Sequence, residues 1–210
     1  MQLTDLLFLA SVLFVFILLL CIAIVALRQR WASAIHLARL LGVFVAGYAI
    51  VLLVASFAMP RRTLASGERE CFDDWCVASL AATPAEASPR LPCPLTPDSD
   101  TWIAGVEVSS DAKRVRQRAR LVRVELEDQF GRRYQACAAT IPQSTQPLHW
   151  LTDELGPGES FRVWLPFQVP HSAKPVGLVV HHGDYPGKFI IGQDQSALHR
   201  PTLLLLSIQP

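Results

Sequence analysis

The sequence predicts a membrane-anchored protein of mixed class, with an N-terminal two-helix transmembrane hairpin followed by an all-β antiparallel sandwich. Residues 6–27 and 40–59 are apolar and uncharged, while short alternating segments separated by Gly and Pro occupy residues 101–210. These two patterns predict membrane helices and strands, respectively. We therefore divide the 210 residues into a hairpin over 1–60, a neck with a proline-rich, cysteine-bearing linker over 61–100, and a sandwich domain over 101–210.

Both apolar runs are long enough to cross a lipid bilayer. At about 1.5 Å per residue, residues 6–27 reach about 33 Å and residues 40–59 about 30 Å, which matches the hydrocarbon core. A buried helix pair in a soluble protein is the alternative, but neither run has an amphipathic face to meet water. A cleaved signal peptide is the other alternative for the first run. That run lacks a basic flank and an A-x-A-like site, so we expect an anchor with the bilayer as a partner.

Arginine placement indicates the orientation of the hairpin. The loop between the runs carries three arginines, whereas residues 1–5 carry no basic side chain. This favours a cytoplasmic loop and both termini outside. Three further arginines follow the second run, so the count is nearly even. We expect a multi-pass protein of the cell (inner) membrane whose C-terminal domain lies outside the cytoplasm.

Cysteine usage agrees with that location. Cys21 lies within the first run, and four cysteines remain outside it: Cys71, Cys76, Cys93 and Cys137. An even number suits two disulfides in an oxidising compartment. Of the three connectivities we favour Cys71–Cys76, which closes a short loop, together with Cys93–Cys137, which ties the linker to a strand. Four free thiols in a cytoplasmic domain remain the alternative.

Alternation predicts about seven short strands after residue 100. Segments 102–109, 118–128, 132–141, 175–182, 188–191 and 200–208 read as strands, with a hairpin turn near Phe130 and Gly131. In the segment 118–128, Glu127 is expected on the wet face. The clearest strand is 160–169, whose inward set is Phe161, Val163, Leu165, Phe167 and Val169. Its other face, which includes Trp164 and Pro166, is expected to point outward.

The run 155–170, Leu-Gly-Pro-Gly-Glu-Ser-Phe-Arg-Val-Trp-Leu-Pro-Phe-Gln-Val-Pro, followed by the strand 176–182, resembles the late strands of DUF4352-like, telokin-like immunoglobulin domains. The resemblance covers residues 102–208 and implies an immunoglobulin-like sandwich on a bacterial surface or membrane protein. Residues 71–76 and 191–202 are similar to recurring features of small uncharacterised bacterial membrane proteins. The chain lacks the Cys…Trp…Cys spacing of antibody domains, so the strand order stays open.

Several residue groups suggest chemistry that their patterns do not support. His181 and His182 with Asp184 resemble metal ligands, but adjacent strand residues point to opposite faces. Asp73 and Asp74 are better explained as turn residues, because nothing nearby would separate their pKa values. We therefore predict no metal site and no acid–base pair.

Nucleophilic and redox sites are not predicted either. Cys71 and Cys76 have four residues between them rather than the two of a C-x-x-C motif, and Ser196 with His199 and Asp194 lacks a G-x-S-x-G turn. No nucleotide-binding or zinc-protease motif occurs. The formal net charge of +1 gives no nucleic-acid footprint. We expect no catalytic residue and no cofactor.

Three functions remain for such a chain. The leading hypothesis is a non-enzymatic envelope module that binds a protein or polymer, with a candidate surface formed by Trp164, His181, His182 and Tyr185. The runner-up is an accessory subunit of a larger membrane complex, and the third is a thiol–disulfide enzyme. A small-residue patch at Gly42, Ala46 and Gly47 is expected to pack the two spans together.

Overall fold

The structure is a computed structural model that describes residues 3–85, 93, 98–119, 121–138, 141, 149–182, 187–191, 196 and 198–209. The chain forms two compact units. The helical unit comprises Met1–Pro60 and Asp184–Arg200, and the sandwich unit comprises Arg61–Gly183 and Pro201–Pro210. The chain therefore passes between the units three times.

Two long helices make up most of the helical unit. Helix α1 spans Leu3–Leu27 and helix α2 spans Trp31–Ala58, and both are long and apolar enough to cross a membrane. The turn between them is tight and places Gln29 at a φ of 57°. The rings of Phe14 and Phe44 meet across the pair with centroids 4.7 Å apart.

The small residues of α2 do not pack the two helices together as expected. A Cβ atom added at Gly42 or Gly47 would have no described atom within 4 Å. Both glycines therefore face open space, because the larger Phe14 and Phe44 side chains make contact between the helices instead. The expectation was wrong because composition alone does not say which side of a helix meets its neighbour.

The remainder of the helical unit comes from late in the chain. The predicted strand over 188–191 is wrong, since Gly187–Phe189 forms one 3-10 turn. Its backbone does not pair with a strand: the carbonyl of Phe189 accepts a hydrogen bond from the Tyr48 hydroxyl of α2.

The first sheet of the sandwich unit has five strands. In spatial order they are β1, β11, β10, β6 and β7. Their bounds are β1 Thr63–Leu64, β6 Val122–Asp128, β7 Arg133–Gln135, β10 Pro175–His182 and β11 Leu203–Leu205. Gly131 adopts a φ of 77° in the turn between β6 and β7, which confirms the predicted hairpin.

The second sheet has the order β12, β3, β4 and β9, and β2 pairs with the first part of β3. The bounds are β2 Arg69–Phe72, β3 Trp75–Ala85, β4 Ser99–Ser110, β9 Ser160–Pro170 and β12 Ser207–Ile208. A small two-stranded sheet joins β5, Gln117–Arg118, to β8, Glu154–Leu155.

The sheets are mainly antiparallel, with two exceptions made by the last strands. Strand β11 runs parallel to β1, and β12 runs parallel to β3. The predicted single strand over 200–208 is thus two strands that belong to different sheets. The predicted strand 132–141 is also divided: after Gln135 the chain leaves the first sheet, and Ala136 pairs with Phe167 of the second.

Residues 61–85 are not the neck and linker that we expected, because they supply β1, β2 and β3. The linker was expected because it is rich in proline, and Pro84, the first proline after residue 61, lies within β3. It is tolerated because β12 pairs with β3 only at Ala81 and Ala82, so Pro84 lies on an unpaired edge. The rest of the proposed linker, residues 86–92 and 94–97, lies outside the described residues.

The core lies between the two sheets, and β9 contributes most clearly to it. Its five predicted inward side chains are all buried, with Val169 and Phe167 fully so. The strand and its register are confirmed. Pro166 was expected to be exposed but is buried, and its carbonyl accepts a hydrogen bond from the Cys137 amide at 2.8 Å.

Candidate functional site

Two disulfides stabilise the sandwich unit. Cys71 is joined to Cys76, and Cys93 to Cys137, with sulfur–sulfur distances of 2.03 and 2.17 Å. This is the connectivity favoured from the sequence, and Cys21 is free. The first bridge links cross-strand partners of the β2–β3 hairpin. The second ties Cys93 to the point where the chain leaves the first sheet.

A carboxylate lies beside the first bridge. The Asp111 carboxylate is 3.5 Å from the Cys76 sulfur and 2.8 Å from the Arg69 guanidinium. One ligand atom from each of Cys71, Cys76 and Asp111 falls within 4.8 Å of the others, the spacing of a metal site. The two sulfurs are bonded to each other, however, so they are not available as thiolates. A neighbouring carboxylate also differs from the electropositive surroundings of reactive cysteines.

Next to this bridge, three rings form an aromatic cluster of Phe72, Trp75 and His182. The His182 ring stacks at 5.2 Å on each of the other two rings. Burial lowers the pKa of His182, while the charge of Asp73 acts in the opposite direction. The Trp75 indole N–H is buried without an acceptor among the described residues. A neutral imidazole packed between carbon rings indicates a structural role for His182.

The described residues of the predicted interaction surface, Trp164, His181 and His182, lie in different places. His181 contacts Glu125 at 3.3 Å on the outside of the first sheet, whereas His182 enters the aromatic cluster. The two imidazoles therefore cannot share a metal ion, as their adjacency in the strand predicted. Trp164 belongs to β9, in the second sheet. Tyr185 and Asp184 lie outside the described residues.

Trp164 covers the outer face of the second sheet. A Cβ atom on Gly105, its cross-strand partner, would lie 2.8 Å from the Trp164 ring and 3.0 Å from the Leu80 Cβ. The ring therefore lies across the space that the glycine leaves open. We call this surface, formed by Leu80, Gly105 and Trp164, the covered face.

One charged group that the sequence placed on the wet face, Glu127, is buried instead. Glu127 is 5% exposed and accepts hydrogen bonds from Arg61, at 2.9 Å, and from Arg133, at 3.2 Å. Burial would raise the pKa of Glu127, but the hydrogen bonds and charges of both arginines outweigh it and lower this pKa. Arg61 lies 66 residues away in sequence, so no local pattern could indicate this pair.

Asp128, next to Glu127, holds the β6–β7 turn. Its carboxylate accepts hydrogen bonds from the amides of Phe130 and Arg132, the Arg132 side chain and the Tyr134 hydroxyl, at 2.8–2.9 Å. Burial acts to raise the pKa of Asp128, and these hydrogen bonds outweigh it and lower the pKa.. Glu127 and Asp128 are thus engaged in structural pairs.

Ser196 and His199, which were considered as part of a hydrolase triad, contact main-chain carbonyls. The Ser196 hydroxyl donates to the Ile190 carbonyl, and the His199 ring lies 3.3 Å from the Ser56 carbonyl. Asp194 lies outside the described residues. Asp73 adopts a φ of 58°, which fits its expected place in the β2–β3 turn.

The sandwich unit carries a groove of about 410 Å³, which we call the Trp150 groove. It lies beside the start of β6, the end of β7 and the turn after residue 149. Its lining residues are Val122, Arg123, Val124, Gln135, Ala136, Cys137, Ala138, Trp150, Leu151, Thr152 and Leu165. Sequence reasoning missed it, because its walls come from four separate segments.

Trp150 lies at the edge of this groove on a hydrogen-bonded turn. Its side chain is 47% exposed, while Asp153 fixes its backbone by accepting a hydrogen bond from the Trp150 amide at 3.0 Å and returning one to the Trp150 carbonyl at 2.9 Å. The neighbouring His149 ring stacks on Phe161 at 4.7 Å. An exposed aromatic ring on a fixed turn loses little conformational freedom on binding.

Leu121 is a second exposed apolar side chain next to the lining residue Val122. It is 80% exposed and adopts a φ of 55°. A leucine in the left-handed region is strained, and among the described residues no burial of this side chain offsets the strain. Such strain is commonly associated with functional sites. Arg123, the next lining residue along β6, adds an exposed guanidinium.

No protein-family model matches the chain, and no curated protein matches it. Three solved structures are similar to it. The secreted protein MPT63 from Mycobacterium tuberculosis is 12% identical, with a TM-score of 0.45 over 70% of this chain and 99% of that chain. An uncharacterised β-sandwich protein from Clostridium difficile 630 is 11% identical, with a TM-score of 0.38 over 59% and 88% of the two chains. A conserved hypothetical protein from Bacillus anthracis is 15% identical, with a TM-score of 0.36 over 59% and 92%. At these values no argument about this chain rests on them.

Proposed function

We propose that this protein is a non-enzymatic membrane-anchored module whose immunoglobulin-like sandwich binds a protein segment outside the cytoplasm. The Trp150 groove is the observation that carries the proposal. It combines an apolar floor, a fixed exposed tryptophan and an exposed arginine. Tryptophan and arginine are the residue types that most often dominate binding energy at protein interfaces.

The sheet edges favour this groove over strand addition as the mode of binding. The end strands β1, β12 and β7 have two or three residues each. The free side of β9 is partly occupied, since Cys137 and Ile141 donate amide hydrogen bonds to the carbonyls of Pro166 and Trp164. Short or covered edges offer little to an added strand. We therefore assign binding to side chains rather than to backbone pairing.

Peptide selection on the full chain in lipid nanodiscs tests this proposal. Peptides recovered from a random library should carry an apolar side chain and should bind the parent at least about tenfold more tightly than Trp150→Ala. Phe130→Ala is the matched control, because Phe130 is an exposed aromatic on the β6–β7 turn, 65% exposed and outside the groove lining. Equal losses for both variants, or selected peptides insensitive to Trp150→Ala, would show that the groove is not the binding site.

Anchoring is the second part of the proposal. Two long apolar helices, three arginines between the runs and two disulfides together support spans with both termini outside the cytoplasm. Single cysteines at Ser33 and Ser172, in a Cys21→Ala background with the disulfides intact, test the orientation. An impermeant thiol reagent on intact cells should label position 172 and leave position 33 unlabelled. Labelling at 33 alone would reverse the orientation and the argument from disulfides.

A second candidate function is an accessory subunit of a larger membrane complex. The open space beside Gly42 and Gly47 favours it, because small residues let a further helix approach closely and α1 does not use them. Gly47→Leu should then remove a co-purifying membrane protein in mild detergent, while Val54→Leu should not. Recovery of the same partner with Gly47→Leu would exclude this face as the contact.

A further inference from the structure

Two described residues between β10 and β11, Phe189 and His199, contact the second helix of the helical unit. The Tyr48 hydroxyl donates a hydrogen bond of 2.6 Å to the Phe189 carbonyl, and the His199 ring contacts the Ser56 carbonyl at 3.3 Å. Tyr48 and Ser56 are eight residues apart on α2, which is about 12 Å along the helix axis. The segment therefore follows α2 over about that length.

These contacts set a depth if α2 spans the bilayer as proposed. Helix α2 ends at Ala58, and Tyr48 lies about 15 Å from that end. The hydrocarbon core is about 30 Å thick. The Phe189 carbonyl would thus be well inside the hydrocarbon layer, on the side where α2 leaves it for the sandwich.

Irregular backbone at that depth requires partners from the protein, because lipid offers no hydrogen bonds. The segment has such partners. The Tyr48 hydroxyl donates to the carbonyl of Phe189, and the Ser196 hydroxyl donates to the carbonyl of Ile190. The His199 amide donates to the carbonyl of Ser196 at 3.0 Å. Side-chain hydroxyls therefore replace the water that a surface loop would use.

The side chains of the segment fit the same environment. Phe189 is 48% exposed and Leu198 is 64% exposed, and Leu198 adopts a φ of 65°. In water these apolar surfaces would be unfavourable, whereas in lipid they would be stabilised in proportion to their area. Arg200 follows Leu198 near the end of α2, and a long basic side chain can extend to a headgroup region from such a position.

We infer that the described residues between 187 and 199 form a re-entrant segment that inserts into the outer leaflet along α2, with Phe189 and Leu198 in contact with acyl chains. This inference rests on the proposed anchoring of the hairpin. It adds a third membrane-contacting segment to a chain in which hydropathy indicates two.

Spin-label accessibility in nanodiscs of phosphatidylcholine and phosphatidylglycerol tests the insertion. Nitroxides are attached to single cysteines at Phe189 or Leu198 in the full-length Cys21→Ala protein, with Val43 as the membrane reference and Phe130 as the water reference. Position 189 should resemble 43, with collisions from oxygen favoured over those from a water-soluble nickel chelate, and position 198, near the end of α2, should lie between 43 and 130. In Tyr48→Phe, access of the chelate to position 198 should rise roughly fivefold, because the Phe189 carbonyl loses its donor.

The outcomes separate the inference from the anchoring. Chelate access at 189 and 198 equal to that at 130, with 43 still in lipid, overturns the re-entrant segment and leaves the anchor standing. Low access of both reagents at 189 and 198 means protein packing rather than lipid, and also overturns it. Chelate access at 43 overturns the anchoring itself.

A measurement on the unaltered protein guards against a variant that misfolds. A phospholipid with a photoreactive group at the end of one acyl chain is activated in the same nanodiscs. Fragment spectra should place adducts within residues 189–199 and within both helices. Adducts in the helices but none in 189–199, or equal adducts in strand β9, would overturn the inference.

Discussion

Two tryptophan regions on either side of β9 differ in how they use an aromatic ring. Trp164 lies over Gly105 on the covered face, so its ring covers the outer surface of the second sheet. Leu165, the next residue, points the other way and lines the Trp150 groove, where Trp150 remains 47% exposed. One strand therefore supports a closed surface and an open one.

The comparison separates two properties that alternation alone cannot distinguish. Period two placed Trp164 on the outward face correctly, but outward does not mean accessible when a neighbouring glycine makes room for the ring. Trp150 lies in no periodic segment, and its exposure follows from a turn fixed by Asp153. A binding aromatic is thus better sought on a fixed turn beside a groove than on the polar face of a strand.

The largest expected effect removes the core support that both regions share. Phe167→Ala deletes a fully buried ring of β9 and should lower the free energy of unfolding by about 3–5 kcal/mol. Urea unfolding of the full chain in detergent, followed by near-ultraviolet circular dichroism, measures it. Gln168→Ala, on the opposite face, should stay within about 0.5 kcal/mol. A neutral Phe167→Ala would mean that the register of β9 is off by one residue.

The bridge at the Trp150 groove should matter more than the bridge in the hairpin. Cys93–Cys137 spans 44 residues and Cys71–Cys76 spans 5. Chain-entropy estimates give about 4 kcal/mol for the longer loop and about 2 kcal/mol for the shorter. Double alanine variants of each pair, compared by the same unfolding measurement, test this order. Equal stability of the Cys93/Cys137 variant and the parent would show that the longer bridge contributes nothing.

The covered face should be intolerant of added volume, unlike the open groove. Gly105→Ala introduces a methyl group 2.8 Å from the Trp164 ring, and overpacking of this kind should cost about 1–3 kcal/mol. Adding Trp164→Ala to Gly105→Ala should recover part of that loss. Trp150→Ala should change stability by no more than about 0.5 kcal/mol. A Gly105→Ala variant as stable as the parent would indicate that Trp164 does not close this surface.

The smallest effect is a pH dependence at the aromatic cluster. Burial lowers the pKa of His182 below its ordinary value of 6.5, so the unfolded chain binds the proton more readily. This contribution to stability is complete above pH 6.5 and decreases as the pH falls from there towards the lowered pKa. Unfolding midpoints at about pH 7.5 and about pH 5.5 should differ less in His182→Gln than in the parent. His36→Gln, at an exposed histidine of α2, is the control, and it should keep the parental difference.

The elements predicted correctly are those with a strong local signal. The two helices follow from hydropathy, β9 from strict alternation, and the β6–β7 turn from Gly131 with the polar residues around it. The cysteine pairing followed from position in the chain. For the helices, β9 and the turn, neighbouring residues decide the structure, so no knowledge of distant contacts is needed.

The errors share a dependence on distant residues. Pro84 argued against a strand, yet β3 accepts it because β12 is too short to reach that position. Glu127 occupies a solvent-facing position in the alternating pattern, but Arg61, which precedes β1, covers its carboxylate. The groove has no sequence signature, since Val122, Cys137 and Trp150 meet only after folding. The sequence shows the side chain at each of these positions, but whether that side chain is buried depends on a residue far away in the chain.

The arrangement of β11 has a consequence for the order of assembly during synthesis. This strand lies between β1 and β10 in the first sheet, and β12 then pairs with β3 in the second. Residues 203–208 leave the ribosome after every other strand of the sandwich. Strands made early must therefore wait with unpaired edges until an interior position is filled by the strand made last. A sandwich assembled in this order becomes complete only after β11 and β12 have emerged, and until then β1 and one edge of β3 lack the partners that they have in the folded unit.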